Sequence, residues 1–178
     1  SLKNASDAQS AIDTGEAALA ETQSLLLRLR ELAVQASTET TTSADRAALN
    51  SEVTALETEI NRIGNSTTWG GINLLNGSFS KANPIIFQIG PNSGDTLSFT
   101  MGYVQATSTA AAQGTLGLLS DVTTITKASA YISTIDGAIS IVSSRRGSFG
   151  AASNRLDSSI TNIRNMRANI LNAKGQIM

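Results

Sequence analysis

Side chains able to do covalent chemistry are scarce in this chain. It has no histidine and no cysteine, which removes the usual general base, thiol nucleophiles and Cys or His zinc sites. Serine and threonine are abundant, but a hydroxyl needs a neighbouring base to become a nucleophile. Lysine is the remaining candidate, at Ser80-Lys81 or around Lys174, and adjacency in a loop does not hold a base against a hydroxyl. Glu57 and Glu59 point in different directions on a helix, so they read as solvated surface rather than an acid–base pair. Gly70-Gly71 and Asn76-Gly77 can offer N–H groups to a phosphate. No P-loop pattern surrounds them, and turns account for them more simply. Asn92, Ser93 and Asp95 carry oxygens for weak calcium ligation, where a hairpin turn again suffices. These residues point away from an enzyme and imply no cofactor or metal.

Binding chemistry is also bounded. A net charge of −1 gives no electrostatic case for nucleic acid or an acidic membrane surface. No apolar run approaches the ~20 residues of a membrane span. Asn, Gln, Thr and Ser around residues 64 to 126 can hydrogen-bond sugar hydroxyls, and Trp69 and Tyr103 can stack on sugar rings. That pattern allows a cell-surface adhesin or polysaccharide-binding protein. Lys81 and Lys127 are isolated, so no basic cluster awaits an acidic polysaccharide.

The elements that must position these residues are mostly helical. The two prolines, Pro84 and Pro91, lie close together, which permits long helices on either side. Residues 3 to 37 read as a helix, with Ala8, Ile12, Leu19, Leu26 and Ala33 at spacings of four and seven and Leu29 and Ala36 beside them. Gly15 is its weak point. Ser37 to Ser43 is a polar loop in which Ser43 is expected to cap the next helix, with Asp45 in its first turn. Leu49, Val53, Leu56, Ile60 and Ile63 carry that second helix, and Gly64 is expected to stop it. Residues 64 to 82 read as an irregular connection anchored by Trp69, with a turn at Asn76-Gly77.

Ile85, Phe87 and Ile89, then Leu97, Phe99 and Met101, alternate around Pro91 to Asp95. This is the pattern of a β-hairpin with one apolar face. Residues 103 to 126 are low in pattern and read as loop, with room for one short helix. From about Lys127 the helical period returns through Ala128, Ile132, Ile135, Ile139 and Val142. It continues through Phe149, Leu156, Ile160, Ile163, Ile170 and Ile177. One helix through Gly147 and Gly150 is expected, on the order of 75 Å long, with a break at Gly147 as the alternative. The fold class is mainly α: an elongated rod of long antiparallel helices, a coiled-coil-like bundle with a small β-hairpin-containing middle. Residues 1–102 and 127–178 supply the rod and 103–126 a reduced variable region.

One helix is too apolar for this scheme. In LLLRLRELAVQAS, Leu25, Leu26, Leu29, Leu32, Ala33 and Ala36 share a side, while Leu27 and Val34 fall roughly opposite. Three packed helices give Leu27 and Val34 no partner, so they are expected to be partly exposed and are candidates for a subunit interface.

The same stretch, with SADRAALNSEVTALETEINRI, resembles the bacterial flagellin family. So do Trp69-Gly70-Gly71-Ile72-Asn73-Leu74-Leu75-Asn76-Gly77, with Gly70 where Asn is usual, and the hairpin FQIGPNSGDTLSF. In the back half, Arg146, Gly150, Asn154 and Arg155 fit the SxRxxxGAxxNR pattern. The resemblance covers nearly the whole chain. It implies a structural subunit exported by the flagellar type III apparatus, polymerising with other flagellin subunits into the swimming filament and meeting hook-associated proteins. It implies an extracellular location, on the flagellum or cell surface. The related hook–filament junction protein is a near alternative, less favoured by Leu25 to Ile63. The chain is expected to lack the family's inner-tube segments and therefore not to form filaments alone. The resemblance also implies recognition by Toll-like receptor 5 through Arg28, Leu32 and Glu52, with Leu27 standing where many members have Gln.

Overall fold

A computed structural model describes residues 2–79, 83–90, 93–106, 116–118 and 120–177. Ser80-Lys81 and Asn92 fall outside the described residues, as do 107–115 within the expected variable region. The elements are α1 (Leu2–Ala36), α2 (Ser43–Ser66), β1 (Thr68–Trp69), β2 (Ile72–Asn73), β3 (Ile85–Gln88), β4 (Thr96–Phe99) and α3 (Ile125–Ile177). The expected mainly helical architecture with a small β middle is what forms.

α1 and α3 run antiparallel along a shared seam. Gln9 Nε2 donates to Ser153 Oγ at 2.9 Å, Arg146 Nε to Glu16 Oε1 at 2.8 Å and Arg30 Nε to Asp136 Oδ1 at 2.7 Å. Between these polar flanks the small and aliphatic residues interlock. Ala5, Ala8, Ile12, Leu19, Leu26 and Ala33 of α1 are buried with Ala128, Ile135, Val142 and Leu156 of α3. α3 is continuous through Gly147 and Gly150 for 53 residues, roughly 80 Å. Its seam is shifted from expectation. Tyr131 and Ala138 are buried where Ile132 and Ile139 were expected, and those two isoleucines are half-buried on the flank. Further along α3, Met166, Ile170 and Leu171 are exposed.

Helix ends correct the sequence reading twice. The N-cap of α2 is Thr42, not Ser43. Thr42 Oγ1 accepts from Asp45 N at 3.1 Å while Asp45 Oδ2 accepts from Thr42 N at 3.2 Å, a reciprocal capping box. Gly64 does not stop α2, which continues to Ser66. It serves a close approach instead: a Cβ there would sit 1.8 Å from the carbonyl oxygen of Val104. Gly15 likewise makes room, because a Cβ would lie 2.8 Å from the ring of Phe149.

The stretch after α2 is more ordered than expected. β1 and β2 form a two-residue-loop hairpin with Trp69 opposite Ile72. Gly70 and Gly71 both take positive φ, +58° and +81°, as a type I′ turn requires. Asn tolerates that region, so Gly for Asn at position 70 preserves the turn. The Asn76-Gly77 turn forms as expected, with Gly77 at φ +86° and Asn76 Oδ1 accepting from Ser78 N at 3.0 Å. β3 and β4 pair antiparallel with Phe87 opposite Leu97 and Ile85 opposite Phe99. Trp69, Phe87, Phe99 and Phe149 then make a ladder of rings, with successive centroids 6.1, 5.8 and 6.4 Å apart. This ladder fastens both hairpins to α3.

No helix occurs among the described residues of 103 to 124. Val104, Ala106, Leu116, Leu118 and Val122 are buried, so these residues strap the rod rather than leave it. Leu116 N donates to Gln105 O and Leu118 N to Ala106 O, at 3.1 and 2.8 Å. Asn61 and Asn50 of α2 accept from Ala106 N and Val122 N at 2.8 and 3.0 Å.

Candidate subunit interface

The face of α1 away from the core carries Leu27 and Val34, 50% and 44% exposed. They lie seven residues apart, two helical turns along one stripe. With Arg30, Glu31 and Gln35 they line a shallow groove of about 540 Å³. Arg30, Glu31 and Gln35 were not expected as lining residues. The signal was available in their spacing, since i+3, i+4, i+7 and i+8 from Leu27 share a helix side. Arg30 is held on the flank by its 2.7 Å ion pair with Asp136, which raises the guanidinium pKa through that hydrogen bond.

Arg28 bridges α1 and α2. Its Nε and Nη2 donate to Glu52 Oε1 at 2.9 and 2.7 Å, and its Nη1 donates to Glu31 Oε2 at 3.0 Å. The hydrogen bond to Glu52, then that to Glu31, raises the Arg28 pKa above its ordinary value. Both Arg28 and Glu52 keep side-chain exposure, 49% and 42%. The two residues expected on one surface are therefore brought together. Leu32 is not with them. It is 1% exposed, so the expectation that its side chain offers a contact is corrected: it packs in the core, its position on α1 facing inward.

The rings expected to stack on sugars are engaged in the fold. Trp69 packs edge-on against Phe87 and its Nε1 donates to Ser10 Oγ at 3.2 Å. It lines a groove of about 320 Å³ with Ile72, Phe79, Pro84 and Ile86 among others. A Cβ on Gly77 would lie 2.3 Å from the Tyr103 ring, and the Tyr103 hydroxyl donates to Gln105 Oε1 at 2.6 Å. Tyr103 is thus a brace for the 76–77 turn, not a free platform.

Titratable groups in the interior are structural. Tyr131 donates its hydroxyl to Glu57 across the α2–α3 contact. Burial raises the Glu57 pKa, with the Tyr131 hydrogen bond opposing, and burial pushes the Tyr131 hydroxyl far up. Among the described residues no group of three or more His, Cys, Asp or Glu could hold a metal ion, and no helix is long and apolar enough to cross a membrane.

The described residues form long packed helices with an apolar stripe exposed on α1. The bacterial flagellin N-terminal helical region matches residues 1–80 and the C-terminal helical region matches residues 132–178. The crystal structure of Bacillus cereus flagellin superposes with a TM-score of 0.78 at 30% identity, covering 95% of each chain. The chain belongs to the bacterial flagellin family. Flagellin of Halalkalibacterium halodurans is 37% identical over 98% of this chain and 62% of its own length. Flagellin B of Vibrio cholerae is 43% identical over 59% of this chain and 27% of its own length. The chain thus spans less than two thirds of these curated relatives. A Vibrio parahaemolyticus structure described as a flagellar hook-associated protein shares the fold, with a TM-score of 0.79 at 14% identity.

Proposed function

We propose that this chain is a structural subunit of the bacterial flagellar filament, polymerised for swimming outside the cell, exported by the flagellar type III apparatus and meeting hook-associated proteins at the filament's ends. The observation that carries the reading is the exposure of Leu27 and Val34, 50% and 44%, on the stripe of α1 opposite its core seam. A monomer gains nothing from two large aliphatic side chains in water, whereas a polymer buries them. Already half covered, each contributes about 1 kcal/mol when its remaining surface is buried. The 30% identity to a flagellin along the whole rod, against 14% to the hook-associated fold, favours the filament over the hook junction. The test is a full-length protein carrying Leu27→Asp and Val34→Asp in a flagellin-null strain. Secretion of folded protein without filaments or swimming is expected; normal filaments would overturn the reading.

A second reading concerns Arg28 and Glu52, which present a pinned, exposed charge pair. We infer from the family resemblance that this pair is recognised by Toll-like receptor 5. Arg28→Ala is expected to lower receptor signalling about tenfold, the loss of a charged contact worth ~1.5 kcal/mol. Unchanged signalling from a folded Arg28→Ala protein refutes it.

A further inference from the structure

Asn76-Gly77 is the one Asn-Gly step in the chain. That pair has a chemistry of its own. With no Cβ on the following residue, its backbone nitrogen can reach the asparagine side-chain carbon and close a five-membered ring. The fold holds this step part-way assembled. Asn76 Oδ1 accepts from Ser78 N at 3.0 Å, so the carbonyl that gains negative charge during ring closure already faces an N–H donor. Both residues of the pair are half-buried and Ser78 beside them is exposed, so water reaches the turn.

What the folded turn lacks is freedom to close the ring. Asn76 is held extended by an antiparallel bridge to Tyr103. On one side Leu75 O accepts from Val104 N at 2.9 Å, and on the other Phe79 O accepts from Met101 N and Gly102 N, both at 3.1 Å. Ring closure needs Gly77 N to swing towards the Asn76 side chain by rotation about the Asn76 Cα–C bond. The Tyr103 ring blocks that swing by lying against Gly77, where a Cβ would sit 2.3 Å from its Cδ2. Tyr103 is itself fixed. Its hydroxyl donates to Gln105 Oε1 at 2.6 Å, and its carbonyl oxygen accepts from Arg145 Nη1 at 2.5 Å.

We propose that Asn76-Gly77 is a self-modifying site gated by Tyr103: its deamidation is closed in the folded chain and open whenever residues 101–105 lift from the turn. In the reaction the Gly77 N–Asn76 Cγ bond forms and the Cγ–Nδ2 bond breaks. The Gly77 amide proton leaves with Nδ2 as ammonia. Water then opens the cyclic imide at one of its two carbonyls, giving aspartate or isoaspartate. The two products differ in the fold. Aspartate keeps an oxygen for Ser78 N. Isoaspartate adds a carbon to the main chain and so displaces the bridge to Tyr103. A chain slow to fold therefore acquires a lasting defect beneath the strap, while a folded one is spared.

The chain is incubated in mildly alkaline buffer, and the peptide holding residues 76–77 is followed by mass spectrometry for the amide-to-acid gain and by isoaspartate labelling. The folded parent is expected to react at least tenfold more slowly than the same chain in urea, the factor that about 1.4 kcal/mol of local closure supplies. Tyr103→Phe keeps the ring and is expected to stay close to the parent. Tyr103→Ala is expected to exceed the parent by that same factor while circular dichroism shows it folded. Sucrose in every sample keeps a destabilised Tyr103→Ala chain folded for the comparison, because an excluded osmolyte favours the compact state. Equal rates in the folded and urea-treated parent overturn the gate. So does a folded Tyr103→Ala chain no faster than the parent, or Tyr103→Phe as fast as Tyr103→Ala.

Discussion

Replacing Gly64 by Ala sets two effects of known sign against each other. In an exposed helix interior the change stabilises by about 1 kcal/mol, because Gly is the poorer helix former. Here the new Cβ would lie 1.8 Å from Val104 O and 2.9 Å from Val104 C. Ordinary Cβ contacts begin near 3.0 Å, so the strap must retreat by about 1.2 Å. It is poorly able to do so. Val104 N donates to Leu75 O at 2.9 Å, Ala106 N to Asn61 Oδ1 at 2.8 Å, and Arg145 Nη1 to Tyr103 O at 2.5 Å. Overpacking costs ~1–3 kcal/mol, and straining a buried hydrogen bond adds about 1 kcal/mol. The net is a loss of about 2 kcal/mol, equivalent to a midpoint lower by ~4–8 °C in a chain of this size. Gly147 and Gly150 are the controls. A Cβ at either meets nothing within 4 Å, so Gly→Ala there is expected to stabilise by ~0.5–1 kcal/mol each. Circular dichroism melts of the three variants, read at the helical band, decide the matter. A Gly64→Ala chain that melts at or above the parent would refute the close approach of α2 and the strap.

Other predictions follow the same geometry. Leu32→Ala is expected to cost ~2–5 kcal/mol, whereas Leu27→Ala should shift chemical-denaturation stability by no more than ~0.5 kcal/mol, since the first is buried and the second half in water. Glu57 has a raised carboxyl pKa from burial, so its contribution is fully present below the ordinary glutamate range and lost as pH rises through the folded value. Glu57→Gln should therefore stabilise the chain at neutral pH relative to acid, checked by unfolding at pH 4 and pH 7. Asp121 is held at about 2, mainly by Lys127 and then Thr123. Its contribution is present above the ordinary aspartate value and lost as pH falls towards 2, so Asp121→Asn should flatten the acid limb between pH 4 and pH 2.

Local periodicity made most of the fold legible. The four-and-three spacing of α2 and the heptad of α1 mark which residues face inward, because a helix repeats its faces at fixed intervals whatever lies across from it. The Phe87 and Phe99 alternation similarly marked the hairpin. What local pattern could not show was which face meets which neighbour. Ile132 and Ile139 fit the period of α3 as well as Tyr131 and Ala138 do, and only the crossing with α1 and α2 selects the latter pair. Thr42 and Ser43 are both good caps, and the reciprocal bonds between Thr42 and Asp45 mark the first as the one used.

Glycines illustrate the divide most clearly. The sequence marked Gly15 as a weak point and Gly64 as a stop on propensity alone, yet each is a place where another part of the chain comes too near for a side chain. The same limit applies to the site. The sequence by itself determined a helical, histidine-free and cysteine-free rod with Leu27 and Val34 outside its main seam, since composition and period are properties of the chain. Only the tertiary structure decided that Arg28 and Glu52 form a pair and that Leu32 is buried. Both depend on how α1 packs against its neighbours, a relation between distant segments that no local spacing encodes.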